Sequence, residues 1–544
     1  MNDFIRDENG KPLFLLGLQA HNSSTGTDMI RKTIQAIKLY GGNLLEAPIY
    51  WNQIEPEMGV YDMTLLKDLI DETREAGLKL IILWFATSKN GHPNYAPDYV
   101  KLHPETYRIT IGSDLAPAAS LSPHCRETLD RDRKAFEQVM AFLKDYDSKQ
   151  RTVAAVQIEN EMGYANTDRD YSRLAQADYE KPVPEPLRSV RLEDTGLEED
   201  NTKNSNIEGV NKDDTTWRGC FGRHAHEAFS SWYHACFMNE IAQAGKQIYD
   251  LPMITNVMLG EQGYEEAGRC YNSGAAVGRM LDIWKLGAPS LDLICPDMYE
   301  PVQRNYRRIC SRYNRPDNAL FIPESPLAGE ANAINSLIAV ADYYAVGICC
   351  FGAESALHED GTLLEDAKTM AITMKTMAAL SPLLIKYRGK GAVHAIVQEE
   401  FAAKQYLKLP RYHIEAHFLN KRGHGYGLGS RINMRAEENK WNLRERGRGL
   451  LVQTGEDEFY LAGAGIALDF IRRPDPMDEK PYIHISSRQS GQLNFLSVEE
   501  GHFEGDKWVV DYIRNGDESN FSLYVHGGQA VRIRINPNMG MNLD

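Results

Sequence analysis

From residue 12 to about residue 380, short apolar runs alternate with amphipathic segments. This is the pattern of buried parallel strands that are each followed by a covering helix. Eight such units can be counted, with strands predicted at 13–18, 44–50, 80–85, 153–158, 253–258, 291–296, 320–323 and 346–351. Most are short and almost wholly apolar, as strands covered on both faces must be. The sixth and seventh carry the weakest signal. Between them, Ile30, Ile34 and Ile37 form one helix face, with Thr27 as the expected N-cap and Gly41-Gly42 as the stop. Phe136, Val139, Met140 and Leu143 repeat that spacing after the third strand. Eight β/α units predict a closed (β/α)8 TIM barrel over residues 1–384, with its chemistry on the loops that follow the strands.

Two departures from the pattern matter. The stretch from Tyr164 to Arg223 is rich in Asp, Glu, Lys and Asn, contains Pro182, Pro184 and Pro186, and shows little apolar periodicity. Its length suits either a lid over a site or a solvated excursion, and the Glu198-Glu199-Asp200 run fits the second. Beyond about residue 385 the period shortens to two, as in Val531, Ile533 and Ile535 interleaved with Arg532 and Arg534. Further strands are expected at 450–453, 459–461, 483–485 and 508–510, and a flexible loop at 423–429. Residues 385–544 therefore read as an all-β domain, a β-sandwich being the expected form, with a structural rather than glycan-binding role.

Charge narrows the choice of partner. With 60 Lys and Arg against 76 Asp and Glu, the formal charge is −16, which argues against nucleic acid or an anionic membrane surface. The start Met1-Asn2-Asp3-Phe4-Ile5-Arg6 lacks the basic and apolar regions of a signal peptide, and no stretch has the roughly 18 apolar residues of a membrane span. A cytoplasmic protein is expected, and a homo-oligomer is left open. The 8 cysteines are scattered, with no CxxC and one adjacent pair, Cys349-Cys350, inside an apolar run. They read as reduced core residues, and neither metal nor cofactor is expected.

The candidate chemistry lies in carboxylates at strand ends. Glu161 ends the fourth predicted strand in Val156-Gln157-Ile158-Glu159-Asn160-Glu161, and Glu324 ends the seventh in Leu320-Phe321-Ile322-Pro323-Glu324. Glycoside hydrolysis needs one carboxylic acid to protonate the leaving oxygen and a second carboxylate to attack or to activate water. Two Glu facing one barrel mouth from different strands meet that need. Strand alternation lets Glu159 and Glu161 point to the same side, so either could be the acid. Glu159 is read as a supporting carboxylate that needs a partner if buried. Trp51, Trp84, Tyr299 and Phe351 are candidate platforms for a pyranose ring, equally suited to anchoring loops. The Tyr299 hydroxyl could hold the attacking carboxylate, and Asn256 could bind a sugar hydroxyl or cap the strand end.

The run Gln157-Ile158-Glu159-Asn160-Glu161-Met162-Gly163 resembles the acid/base motif of the family 35 β-galactosidases. Trp51-Asn52-Gln53-Ile54-Glu55-Pro56 with Gly59 and Asp62 resembles their strand-two signature. The chain also resembles the family 42 enzymes, and most closely a bacterial branch of β-galactosidases in which a barrel precedes a β-domain. The similarity covers about the first two-thirds of the chain, with weaker support at 102–108 and 348–354. It implies that Glu161 is the acid/base, Glu324 the nucleophile and Asn160 a ligand of the sugar 2-hydroxyl. It also implies retention of configuration, with carboxyl groups about 5 to 5.5 Å apart, whereas inversion would need about 6.5 to 9.5 Å. Where family 35 has Cys-Ala-Glu-Trp on strand three, this chain has Leu83-Trp84-Phe85-Ala86-Thr87, without the carboxylate. Pro48 and Tyr50 also break the strand-two wording, and the family 42 cysteine cluster is not apparent.

The expectation is thus an exo-acting retaining β-glycosidase, a β-galactosidase on short oligosaccharides. The same mechanism on a β-glucoside, β-fucoside or α-L-arabinoside is one alternative. A non-catalytic carbohydrate-binding or scaffolding barrel is the other, because a fold does not by itself imply chemistry.

Overall fold

The computed structural model describes residues 5–6, 10–23, 26–192, 214–260, 266–400, 402–418, 445–472, 483–484, 495–515, 523–525 and 527–538. Eight parallel strands form its first sheet: β1 Leu15–Gln19, β2 Leu44–Tyr50, β3 Lys79–Lys89, β4 Val153–Asn160, β5 Met253–Val257, β6 Leu293–Pro296, β7 Phe321–Ile322 and β8 Gly347–Phe351. All eight predicted strands are present. Their order around the sheet is β6-β5-β4-β3-β2-β1-β8-β7, so the first and eighth strands pair, Leu15 opposite Gly347, as a TIM barrel requires.

The seam between β6 and β7 carries no strand ladder. There the Asn318 side chain accepts from Ile294 N (2.8 Å) and donates to Ile294 O (2.9 Å), and Met298 N donates to Glu324 O (2.8 Å). Two-residue β7 pairs with β8, Phe321 opposite Gly347, and on the β6 side the Asn318 amide, with its donor and acceptor, bridges the seam.

Apolar positions divide by parity. Leu15, Ile81, Leu83, Phe85, Ala155, Ile254 and Cys349 pack inside the barrel, whereas Leu16, Ile82, Trp84, Val156 and Ile158 join the larger core beneath the helices. Helix α1, Thr27–Tyr40, buries Ile30, Ile34 and Ile37 and ends at left-handed Gly41 as predicted. Its N-cap is Gly26, however, so Thr27 is the first helical residue. One unpredicted element follows β3, an antiparallel hairpin of Ile109–Ile111 and Pro117–Leu121.

The 164–223 insertion, expected as a lid or a solvated excursion, has regular structure over the part described. It contains helices Arg173–Tyr179 and Trp217–Phe221, and Val183, Leu187 and Val190 are buried. The Asp170 carboxylate accepts from Ile111 N (3.1 Å), Ser122 Oγ (2.6 Å) and Ser172 N (2.7 Å), tying the insertion to the hairpin. Residues 193–213 lie outside the described residues, as does the 423–429 loop.

The C-terminal region is antiparallel. One sheet has six strands, including Arg448–Gly455, Glu458–Ala464, Ala530–Ile535 and Phe495–Glu504, and a second contains Tyr412–Phe418 and Ile466–Arg472. Ile414, Phe470, Leu461, Val531 and Ile533 pack between them, with Arg532 and Arg534 on the opposite face. This sandwich leans on the barrel helix Glu365–Ala379 through buried Arg448, which donates to Thr373 Oγ1 and to Thr369 O (both 2.8 Å). Among the described residues, no helix is long and apolar enough to cross a membrane.

Candidate active site

The ends of β4 to β7 and of β1 converge on two carboxylates. Glu324 accepts from Gln19 Nε2 at the end of β1 (3.0 Å), from the Tyr299 hydroxyl after β6 (3.0 Å), and from Asn256 Nδ2 on β5 (3.3 Å). Three donors of this kind hold a carboxylate in one orientation. Glu161 sits beside it: Asn256 Oδ1 accepts the Glu161 backbone N–H (3.0 Å), so one amide braces both residues. Asn256 Nδ2 has two further acceptors, Asp297 Oδ2 (2.8 Å) and Asn160 Oδ1 (3.1 Å). With two hydrogens for three acceptors, its contact with Glu324 is the weakest.

The chain leaves β4 through two strained residues. Glu159 and Glu161 have φ of 55° and 47°, the left-handed region, at a cost of about 1–3 kcal/mol each. These turns break the alternation of the strand and send the two carboxylates to different places. Glu159 accepts from Ala86 N (3.0 Å), Thr87 N (2.9 Å), Thr87 Oγ1 (2.6 Å) and Ser88 N (2.9 Å). It is wholly buried under the end of β3 and does not join the site, which corrects its expected place as a substrate contact. Asn160 is turned by Asn90, whose Oδ1 accepts from Asn160 Nδ2 (2.8 Å).

Burial pushes the Glu161 carboxyl up to about 7, with the neighbouring Glu324 charge adding to the effect and Lys89 opposing it. A group so placed holds a proton in part of the population near neutrality and can both give and take one. Asp297 is buried and held well above the ordinary carboxyl range, first by desolvation and then by Glu324 and Glu161. Glu46, inside the barrel on β2, is raised well above its usual value by burial and by Glu324.

The aromatic candidates separate. Tyr299 is at the mouth and 43% exposed, and Phe351 closes β8 with its ring edge-on to His21 at 5.2 Å. Trp84 is fully buried, packs on Phe136 and donates to Asp132 Oδ1 (2.9 Å). Trp51 is equally buried and donates to Glu55 Oε2 (3.0 Å). Both are anchors behind the sheet and cannot touch a ligand at the mouth. Sequence reasoning passed over Gln19, Asp297 and Lys89. Gln19 and Asp297 were findable, since each is a polar residue where an apolar run stops. Lys89 was not, because β3 runs four residues past its predicted end.

Away from the mouth, Glu415, His417 and Asp469 bring ligand atoms together on the β-domain. His417 is already paired with Asp469 (2.8 Å) and Glu415 with Lys404 (2.9 Å), so these groups satisfy one another.

Residues 23–266 match the family model described as Beta-galactosidase, that of glycoside hydrolase family 42. Of the two families that the motifs resemble, the match is thus to family 42. Residues 373–525 match a domain of unknown function (DUF5597). No protein of curated function matches the chain. Similar solved structures include a β-galactosidase from Bacillus circulans, 13% identical with TM-score 0.48, covering 69% of this chain and 57% of that one. A cold-adapted β-galactosidase from Rahnella is 16% identical with TM-score 0.48, covering 73% and 60%. The catalytic domain of a β-amylase from Paenibacillus polymyxa is 13% identical with TM-score 0.48, covering 68% and 98%. The chain therefore spans about three-fifths of the length of those two β-galactosidases.

Proposed function

From the match of residues 23–266 to the family 42 model we propose that the chain is a glycoside hydrolase that removes terminal β-galactosyl units from short oligosaccharides with retention of configuration. Glu324 attacks the anomeric carbon while Glu161 gives its proton to the departing oxygen, leaving a galactosyl ester on Glu324. Glu161, now a carboxylate, takes a proton from water, which displaces Glu324 and frees the sugar. Asn160 binds the 2-hydroxyl, and Tyr299 and Phe351 flank the ring.

One observation carries this reading. Two carboxyls from β4 and β7 share the Asn256 amide, one held by three donors and the other pushed up to about 7. That division of labour is what double displacement needs of its nucleophile and its acid/base. The formal charge of −16 favours a neutral oligosaccharide over an acidic one as partner.

The test is turnover of aryl β-galactosides by Glu324→Gln and Glu161→Gln, together with trapping by a 2-deoxy-2-fluoro-β-galactoside. Mass spectrometry should locate the label on Glu324, and proton NMR should show the β-anomer formed first. Undiminished turnover in both variants would remove the assignment, and a first-formed α-anomer would mean inversion. The strand-three segment at 83–87 lacks the carboxylate of family 35, so a panel of nitrophenyl glycosides decides the sugar. Binding without turnover on every member would leave a carbohydrate-binding barrel.

A further inference from the structure

Asp297 lies in the site without a part in the double displacement. It is 2% exposed, two residues before Tyr299, and its Oδ2 accepts from Asn256 Nδ2 at 2.8 Å. Its Oδ1 is buried and meets no N–H or hydroxyl donor among the described residues. What faces the side chain within hydrogen-bond range is the carboxyl of Glu161. Two carboxylates cannot approach so closely in a buried site unless a proton lies between them.

The charged and titratable neighbours are Glu161 from β4, Glu324 from β7, Lys89 from β3, and Tyr299 and Cys295 on its own segment. Lys89 is the one cation among them, and it weakens the repulsion without supplying a donor to either carboxyl. The neutral acid is Asp297 rather than Glu161, since Glu161 gives up its proton to the leaving oxygen, and the proton then left between the two carboxyls sits on the buried Asp297 Oδ1, which meets no other donor among the described residues, while Oδ2 is occupied by Asn256.

We propose that Asp297 is a positioning residue that acts as a neutral carboxylic acid, its O–H donated to the Glu161 carboxylate. This deepens the proposed mechanism and rests on Glu161 being its acid/base. When Glu161 has given its proton to the leaving oxygen, it becomes a buried anion beside Glu324. The Asp297 O–H then bonds to that anion with no proton changing hands, and it holds the carboxylate toward the incoming water. Asn256 keeps Asp297 in the required orientation by occupying Oδ2.

Asp297→Asn keeps both functions, because its carbonyl can accept from Asn256 while its NH2 donates to Glu161. Asp297→Leu keeps the branched shape, at a larger volume, and removes the donor. Loss of a hydrogen bond to the charged form raises a carboxyl pKa, so in Asp297→Leu the alkaline limb of kcat/KM moves up by about one pH unit. In Asp297→Asn it stays within about half a unit of the parent. A purely structural role would lower kcat in both variants and leave the limb in place. The assignment is overturned if the Leu limb does not move, or if Asn moves it as far as Leu.

Infrared difference spectra of the full chain provide a readout that needs no turnover and no stable Leu variant. Glu46 and Asp132 are also raised by burial, so the readout is the difference between proteins: part of the protonated-carboxyl band intensity above pH 7 should be present in the parent and in Glu161→Gln, and be lost in Asp297→Asn. If Asp297→Asn loses none of that intensity, Asp297 is not the neutral acid. If Glu161→Gln retains full activity while the band behaves as expected, the mechanism has failed and the neutral Asp297 stands.

Discussion

Replacing Glu159 and Glu161 by alanine, one at a time, should produce opposite losses. The Glu159 carboxylate is the shared acceptor of three backbone N–H groups and one hydroxyl, all at a position with no exposure. In Glu159→Ala the Thr87 hydroxyl can turn elsewhere, but three N–H groups lose their partner at about 1–3 kcal/mol each. Water entering the vacated space recovers part of this, and the buried, raised carboxyl is no longer a burden. The net expectation is a loss of roughly 3–6 kcal/mol, a large share of the 5–15 kcal/mol that holds a domain together. Urea unfolding followed by tryptophan fluorescence should therefore show an early barrel transition. Glu161→Ala should unfold close to the parent and instead lose about 10²–10⁴-fold in turnover, the usual worth of a general acid/base. Azide, entering the vacated place of Glu161, should restore turnover of a substrate with a good leaving group in Glu161→Ala only. Azide rescue of Glu159→Ala, with its stability intact, would reverse the two carboxylates.

Four further outcomes follow from the same geometry. Glu161 is pushed up to about 7, so its proton is held more tightly in the folded state. That contribution to stability is complete below about pH 4.5 and is lost as pH rises through 7, an amount of about 3 kcal/mol; Glu161→Gln should flatten that slope in denaturation measured at several pH values. The same proton makes kcat/KM fall as pH rises through about 7, and a flat profile to pH 9 would refute that role. Tyr299→Phe removes a hydrogen bond to a charged carboxylate worth about 1.5–3 kcal/mol, so kcat/KM should drop about 10- to 100-fold with the fold intact by circular dichroism. Gly163→Ala should not yield folded protein in a solubility and circular dichroism assay. Its φ is 143°, and a Cβ there would stand 2.8 Å from Asn272 Cβ and from Ser273 O.

How much of this was legible follows from what each residue does. Buried parallel strands announce themselves as apolar runs, so six of the eight were plain in outline, and the sixth and seventh gave the weaker signal. The two-residue β7 was legible only through Pro323-Glu324 behind it, because its pairing on one side is delegated to Asn318. Glu324, Asn256 and Tyr299 could be picked out because polar groups at the end of an apolar run must face something other than the core. Trp84 was misplaced although parity alone would have corrected it: Leu83 and Phe85 point into the barrel, so Trp84 faces the helices. Trp51 opens a short helix, Trp51–Ile54, rather than continuing β2, and strand parity does not extend to it. The fate of Glu159 was not legible. Parity with Ala155 and Gln157 puts it inside the barrel, and only the left-handed turn at Glu159 itself takes it out.

That turn explains how one short run can carry two carboxylates with unlike duties. On a regular strand, residues 159 and 161 would stand side by side, and three carboxylates with Glu324 would crowd one mouth. Two left-handed residues cost about 2–6 kcal/mol together. The four hydrogen bonds to Glu159, at about 0.5–1.5 kcal/mol each and more where the acceptor is charged, offset that cost. The Glu161 peptide is fixed at both ends, its N–H by Asn256 Oδ1 (3.0 Å) and its carbonyl by Asn272 Nδ2 (2.6 Å). Glu159 thus serves the site by sustaining the bend that delivers Glu161 to it. Asp132, wholly buried beside Glu159 and raised well above its usual range by burial and by that charge, extends the same arrangement to the helix Arg126–Asp147. A carboxylate buried behind the sheet and an acid at the mouth are therefore two ends of one backbone distortion, and weakening either should loosen the other.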